Sequence, residues 1–196
     1  MSSVKSGHLP AEFVTRMGAM IRKSWQVGIP PTPSQLSCAA TLASHGHLTR
    51  VEKLTLKNMD ISSVEPGDLR TLVKCVTEEV SVDNVTGDLS PVLHSSRCRA
   101  LSLYNRTLTA TETQTLAVAM VSGVKEVRLG KNVTLGMETL TQYNGKGECE
   151  EVKLFDNTKE RYLDQVKVWA GDMDWEIEND DQEIMISRGE KEPYNL

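Results

Sequence analysis

The feature that most constrains the fold of this chain is a short pattern that occurs five times in its middle part. Each copy has an apolar or small residue, two mostly polar residues, an apolar residue, one intervening residue and another apolar residue, followed by a polar turn. The copies begin at Val51, Thr77, Cys98, Val124 and Cys149, so their starts lie 26, 21, 26 and 25 residues apart. Alternation with a period of two over so few residues predicts a short strand with one buried face. Such a strand cannot bury that face alone, so the copies are expected to stack side by side.

The segments between these copies have the periodicity of helices. Leu69, Leu72 and Val73 are spaced for one apolar helix face, and Thr109 or Thr111 can cap a helix that runs through TQTLAVAM. Each unit therefore predicts a strand, a turn, a helix and a return to the next strand. This order indicates an α/β fold in which a parallel sheet lies on one side and helices lie on the other.

The five copies resemble the L-x-x-L-x-L-x-x-N core of leucine-rich repeats. Val51, Leu54 and Leu56 match the leucines in the first copy, and Asn132 and Asn157 match the asparagine in the last two. In the other copies an asparagine comes one position early, at Asn58, Asn84 and Asn105. Helices in the return segments are similar to the ribonuclease-inhibitor-like subtype, which also occurs in animal innate-immune sensors. The resemblance implies a short solenoid with a concave parallel sheet and convex helices.

The predicted repeats occupy residues 49–171, and the flanking segments are suited to cover the ends of a stack. Residues 1–48 contain two helical stretches separated by GIPPTP and are expected to form a helical N-terminal cap. Residues 172–188 alternate apolar and polar residues around NDDQ, which predicts an acidic β-hairpin as the C-terminal cap. Residues 189–196 are expected to form a disordered tail.

The formal net charge of −5 is concentrated near the C-terminus. Seven acidic residues and no base lie between Asp172 and Glu183, and the rest of the chain is close to neutral, with 22 bases and 20 of the 27 acids. A neutral body lacks the basic surface that binding to phosphates requires. Aromatic residues make up only 5% of the chain, which also argues against stacking on bases. We therefore do not expect nucleic acid as a direct ligand.

Neither a membrane span nor a signal peptide is indicated. The chain has no run of roughly eighteen apolar residues, and charges interrupt its opening segment every few positions. Its cysteines are too sparse for a disulfide scaffold and lack zinc-binding spacing, so they are expected to be buried thiols in a reducing compartment. These cysteines are Cys38, Cys75, Cys98 and Cys149. We expect a cytoplasmic protein without membrane contact.

Motifs for catalysis are missing from the sequence. It contains no nucleophile elbow, no phosphate-binding loop and no dinucleotide fingerprint. His45 and His47 form a pair without a third ligand, so no metal is expected. We therefore predict no catalytic residue and no cofactor. An enzyme with a site assembled across repeats remains a separate hypothesis, which metal analysis and generic hydrolase substrates would test.

Three N-x-T sequons begin at Asn84, Asn105 and Asn132, each in the turn after a predicted strand. Asparagine and threonine side chains in turns form hydrogen bonds with the backbone. In a chain without signal-peptide features, we interpret these residues as turn formers rather than glycosylation sites.

The strand residues that alternate with the inward apolar positions are expected to face outward on the concave side. They are Lys53, Thr55, Lys57, Glu79, Ser81, Asp83, Ala100, Ser102, Tyr104, Glu126, Arg128, Gly130, Glu151, Lys153 and Phe155. Aromatic side chains beside Arg and Lys have the composition of protein-binding hot spots.

We accordingly predict a non-catalytic module that binds a protein partner on the concave sheet face. Tyr104, Arg128, Lys153 and Phe155 are the expected contacts. Glu126 and Glu151 are expected to set charge complementarity at the rim. The alternative is a scaffold or adaptor subunit that binds through the convex helices and the acidic C-terminal hairpin. The sequence specifies neither the partner nor the oligomeric state.

Overall fold

The computed structural model describes residues 11–26 and 29–189 of the chain. In these ranges seven strands form one sheet, and seven helices connect or flank the strands. The strands are β1 (Val51–Asp60), β2 (Val76–Thr86), β3 (Ala100–Tyr104), β4 (Glu126–Leu129), β5 (Glu151–Phe155), β6 (Glu176–Asn179) and β7 (Glu183–Ser187). The helices are α1 (Ala11–Gln26), α2 (Pro33–Ser44), α3 (Pro66–Val73), α4 (Ser90–Ser95), α5 (Ala110–Ser122), α6 (Met137–Leu140) and α7 (Asp156–Met173).

The sheet is mostly parallel. Strands β1 to β5 lie side by side in chain order, and Leu54, Val80, Leu101, Val127 and Val152 share one register. These are the equivalent positions of the five repeated patterns, so the repeat spacing predicted the register. Beyond β5 the order is β7 and then β6, both paired antiparallel. The predicted α/β class is confirmed, with an antiparallel hairpin added to a parallel sheet.

Strands β1 and β2 are longer than the short strands that the pattern predicted, with 10 and 11 residues. Asn58 and Asn84 both adopt positive φ, near 50°, at equivalent positions of the two strands. The Asn84 side-chain amide donates to the Asn58 side-chain oxygen at 2.8 Å. Both strands adopt the same left-handed backbone conformation at this position. Their pairing therefore resumes afterwards and continues to Asp60 and Thr86.

One face of the sheet and the inner faces of the helices form a continuous apolar core. The aligned strand positions are buried, and α2 to α6 contact one another successively in chain order. Threonines begin two of the helices: Thr32 and Thr109 form reciprocal capping boxes with Gln35 and Glu112. Of the two caps considered for α5, Thr109 is therefore the one used.

A buried ion pair joins three of the elements. Arg106 donates to the carbonyls of Val85 at 2.6 Å and Gly87 at 2.7 Å, and to the Glu112 carboxylate at 2.7 Å. Glu112 also accepts the backbone N–H groups of Leu89 and Thr109, each at 2.8 Å. The pair therefore connects the end of β2, the start of α4 and the start of α5.

The two ends of the sheet have different neighbours. Helix α1 lies against β1, and the β6–β7 hairpin extends the sheet past β5. The segment predicted as the N-terminal cap thus contains α1 and α2, while residues 1–10, 27 and 28 lie outside the described ranges. The segment predicted as the C-terminal hairpin contains β6 and β7, but its first two residues complete α7. The predicted tail lies outside the described ranges except for its first residue.

All four cysteines are free thiols. Cys98 and Cys149 are buried as predicted, and burial raises their pKa to about 11 and about 12. Cys38 and Cys75 are only half-buried, so the prediction of full burial is wrong for these two. Among the described helices, none is both long and apolar enough to cross a membrane.

Candidate functional site

The candidate site lies on the sheet face opposite the apolar core, which we call the open face. It consists of the side chains on β1 to β5 that alternate with the buried leucines and valines. Most of them are half-buried or exposed, so no described helix covers this face. The sequence placed these residues correctly, because side chains alternate between the two faces of a strand.

Ion pairs connect β1, β2, β4 and β5 across the open face. Lys53 Nζ lies 3.2 Å from Glu79 Oε2, and Arg128 Nη1 lies 3.5 Å from Glu79 Oε1. Arg128 also donates two hydrogen bonds to the Glu126 carboxylate, from Nε at 2.6 Å and from Nη2 at 2.8 Å. This two-pronged geometry fixes both side chains more firmly than a single contact would.

The chain of charges continues onto β5. Lys153 Nζ lies 3.5 Å from Glu126 Oε1 and 2.5 Å from Glu151 Oε1. In this network every contact pairs a base with an acid, and the two kinds are equal in number. We call these six residues the charge ladder: Lys53, Glu79, Arg128, Glu126, Lys153 and Glu151.

The middle of the charge ladder passes over β3. Ala100 and Ser102 point toward the open face, yet both are buried, and Ser102 has 0% exposure. The Ser102 hydroxyl donates to Glu79 Oε1 at 2.8 Å, the same oxygen that faces Arg128. Small side chains on β3 therefore allow Glu79 and Arg128 to meet above this strand. The expectation that Ser102 faces solvent is wrong, because its longer neighbours cover it.

The pKa shifts of Glu126, Arg128 and Lys153 show that their surroundings stabilise the charged forms. Burial alone would raise the pKa of Glu126, but Arg128 and then Lys153 outweigh this effect and lower that pKa. The hydrogen bond to Glu126 raises the pKa of Arg128. Burial would lower the pKa of Lys153, but Glu151 and Glu126 outweigh it and raise that pKa. The ion pairs of these three residues therefore favour their charged forms.

Asparagine side chains form a second network, which lies near the ends of β1 and β2 and shortly after the other parallel strands. Asn132 donates to Asn105 at 3.0 Å and Asn157 donates to Asn132 at 2.6 Å, while Asn84 donates to Asn58. We call these five residues the asparagine ladder. Between its two parts, Asn105 donates to Asp83 at 2.8 Å instead.

This arrangement bears on the three sequons. In Asn84, Asn105 and Asn132 the side-chain nitrogen, which a glycan would modify, donates a hydrogen bond to a side chain of the preceding repeat. Asn105 and Asn132 follow β3 and β4 as predicted, whereas Asn84 lies within β2, because this strand continues beyond the repeated pattern.

Tyr104, one of the predicted contacts, lies over Gly130, the residue directly after β4. A Cβ atom at Gly130 would fall 2.1 Å from two atoms of the Tyr104 ring. The ring is half-buried and adjoins the charge ladder, since Tyr104 follows Ser102 on the same face. Gly130 is therefore required by this close approach of the ring.

Replacement of Gly130 by alanine is expected to displace the Tyr104 ring and to lower the free energy of unfolding by about 1–3 kcal/mol, because the added methyl overlaps the ring. Tyrosine nitration followed by mass spectrometry would report the increased accessibility of Tyr104. Gly171→Ala is the matched control, because a Cβ there meets no atom within 4 Å. Unchanged nitration of Tyr104 in Gly130→Ala would contradict the packing.

The six predicted site residues divide into three groups. Arg128, Lys153, Glu126 and Glu151 meet in the charge ladder. Glu126 was predicted to lie at the rim of the site. It lies inside this network instead, with 13% side-chain exposure. Tyr104 adjoins the ladder.

Phe155 lies apart from the others. It is half-buried at the end of β5, pairs with Glu183 of β7 and borders a cavity with Lys131, Asn157 and Gln182. Phe155 therefore lies at the edge of the sheet where the parallel strands end, away from the charge ladder.

Glu79, Lys53 and Ser102 were predicted to face outward, but no sequence motif assigns them to the site. Glu79 is the residue through which β1, β3 and β4 connect. A signal was present, because Lys53 and Glu79 occupy equivalent positions of successive repeats. Opposite charges at equivalent positions face each other across a parallel pair of strands.

No other chemistry is apparent in the parts of the chain described here. They contain no group of three or more His, Cys, Asp and Glu side chains arranged to hold a metal ion. His45 instead contacts the Thr41 carbonyl at 2.8 Å, at the end of α2. No protein-family model matches the chain, and searches of curated proteins and of solved structures find no match.

Proposed function

We propose that this chain is a short, leucine-rich-repeat-like solenoid that binds a protein partner on its open face without catalysing a reaction. The repeated pattern, the parallel strands in chain order and the successive helix contacts support the architecture. The free cysteines are compatible with a cytoplasmic protein.

The charge ladder is the observation that carries the binding proposal. Four of its charged side chains, Glu79, Glu126, Arg128 and Lys153, are each held by at least two partners, on a sheet face that no described element covers. Arg128, for example, contacts Glu79 and Glu126 and retains 32% side-chain exposure. A side chain that is already held loses little conformational entropy on binding. The open face therefore has the character of a preorganised surface.

The ladder also limits the kind of partner. Because its three acids and three bases compensate one another, the open face attracts neither a strongly acidic nor a strongly basic surface. A complementary partner would present mixed charges around an apolar or aromatic contact for Tyr104. Tyr and Arg are the residue types that most often dominate binding energy at such interfaces.

Site-specific photo-crosslinking tests this proposal. A photoreactive phenylalanine analogue at Tyr104 is expected to give a discrete adduct with a partner, whereas the same group at Val118 gives none. Val118 is 45% exposed on α5, so it is a matched position on the helix side. Once mass spectrometry has identified the adduct, Tyr104→Ala is expected to weaken binding of the purified partner by tenfold or more, about 1.4 kcal/mol. Adducts from Val118 alone would overturn the proposal.

The acidic hairpin offers a second candidate function, as an adaptor surface. All four residues of β6 are exposed, and this strand has a paired neighbour only on its β7 side in the described sheet. A free edge of this kind can pair with an extended segment of another protein. A photoreactive group at Glu178 distinguishes the two candidates. Adducts from Glu178 and none from Tyr104 would assign binding to the hairpin.

A further inference from the structure

The loop between α6 and β5 contains an asparagine of unusual chemical character. Of the eight asparagines in the sequence, Asn144 is the only one that a glycine follows. We propose that the Asn144–Gly145 peptide is a site of spontaneous deamidation, at which Asn144 is converted to aspartate and isoaspartate. This inference is independent of the binding function proposed above.

The reaction requires no reagent other than water. The backbone nitrogen of Gly145 loses its proton and attacks Cγ of Asn144, so a new C–N bond closes a five-membered imide. The bond from Cγ to Nδ2 breaks, and the amide leaves as ammonia with the displaced proton. Water then opens the imide at either carbonyl. Opening at one carbonyl gives aspartate, and opening at the other gives isoaspartate, in which the main chain runs through the side-chain carbon.

The surroundings of Asn144 favour this attack. Asn144 is exposed, and its side-chain oxygen accepts the backbone N–H of Lys146 at 3.2 Å, which polarises the amide carbon. Among the described residues the Gly145 N–H has no hydrogen-bond acceptor, so no bond has to break before it reacts. Gly145 also has no Cβ that would hinder ring closure.

The asparagine ladder provides the contrast within the same molecule. Asn84 and Asn132 precede valine, whose branched side chain obstructs the approach of the backbone nitrogen. Their side-chain nitrogens donate to the side chains of Asn58 and Asn105, at 2.8 Å from Asn84 and 3.0 Å from Asn132. Deamidation at these positions therefore requires local opening of the ladder.

Conversion at Asn144 would alter a loop that holds the end of the sheet. Arg188, directly after β7, donates to the carbonyls of Gly145 at 2.8 Å, Gly147 at 3.0 Å and Cys149 at 3.1 Å. The guanidinium also lies 5.7 Å from the ring centre of Trp175. Isoaspartate would lengthen the backbone next to these carbonyls, and either product would add a negative charge to the loop.

The test is a time course on the purified, folded chain at neutral and mildly alkaline pH. Peptide mapping and an isoaspartate-specific methyl-transfer assay would follow both products. We expect conversion at Asn144 to accelerate with pH and to proceed at least about tenfold faster than at Asn84 or Asn132, which react only after local opening. Asn144→Gln is the control variant, because a longer side chain closes the ring much more slowly, and it should abolish the isoaspartate signal.

The decisive comparison is between the folded protein and the excised peptide that contains YNGKGE. Similar rates in the two would support the proposal, because they show that the fold leaves this site open to reaction. A rate in the folded protein more than about tenfold below that of the peptide would overturn it, since the loop would then protect Asn144 as secondary structure protects other sites.

Discussion

Glu112→Gln is expected to lower the free energy of unfolding by about 3–5 kcal/mol, because removal of one charge from a buried ion pair leaves its partner uncompensated. Glu112 is 1% exposed and Arg106 is its charged partner. The loss would be accompanied by weaker acceptance of the Leu89 and Thr109 N–H groups at the starts of α4 and α5. Urea denaturation followed by circular dichroism would measure the difference.

The pH dependence of this effect identifies its electrostatic origin. Burial alone would raise the pKa of Glu112, but the N–H groups of Thr109 and Leu89 and the charge of Arg106 outweigh it, and the pKa is lowered. The contribution of the carboxylate is therefore complete above its ordinary pKa of 4.5 and disappears as pH falls through the lower folded value. The difference between wild type and Glu112→Gln should shrink over the same acidic range. A difference that does not change with pH would contradict this account.

A double variant provides the matched control. Replacement of Arg106 by methionine together with Glu112 by leucine removes both charges and leaves an apolar pair of similar volume. The double variant is expected to lose less stability than Arg106→Met and Glu112→Leu lose in sum when each is made alone. In the double variant neither charge is left unpaired. Additive losses would mean that the two residues do not act as a pair.

Trp169→Ala is expected to cost about 3–5 kcal/mol, the range for truncation of a large buried aromatic side chain. Trp169 is 2% exposed, donates its indole N–H to the Tyr143 carbonyl at 2.9 Å and packs edge-to-face on the Tyr143 ring at 6.5 Å between centres. It thereby attaches α7 to the loop that precedes β5. Thermal and urea unfolding would both report the loss.

The neighbouring residue supplies the control for this truncation. Val168 is 66% exposed on the same helix, so Val168→Ala should change stability by no more than about 0.5 kcal/mol. Trp169→Phe keeps an aromatic ring but loses the hydrogen bond to Tyr143, and an intermediate cost is expected. Equal effects of Val168→Ala and Trp169→Ala would show that α7 is not anchored through the indole.

Much of the fold follows from periodicities that are local in the sequence. The repeated pattern predicted five parallel strands and the register that aligns Leu54 with Val80, Leu101, Val127 and Val152. It also predicted which strand side chains point away from the core. Such predictions succeed because alternation along a strand and capping of a helix are decided within a few residues of chain.

The order of the C-terminal strands was not available from the same signals. The alternation around NDDQ predicted a hairpin, and β6 and β7 form one. Which strand of the hairpin adjoins β5 depends on the position at which α7 ends. In the structure β7 pairs with β5, and β6 forms the edge of the sheet. The alternation around NDDQ does not predict this choice, and in the structure β7 buries Ile184 and Ile186 while all four residues of β6 are exposed.

The periodicity of the chain predicted where the strands lie, which helices follow them and how the strand side chains alternate. It did not predict which side chains meet, such as Glu79 with Arg128 above Ser102, Tyr104 on Gly130 and Arg106 with Glu112. The difference lies in the range of the interactions. Backbone periodicity acts over a few residues, whereas these contacts join residues of different strands and helices, whose partners depend on register, side-chain length and the space that small neighbours leave.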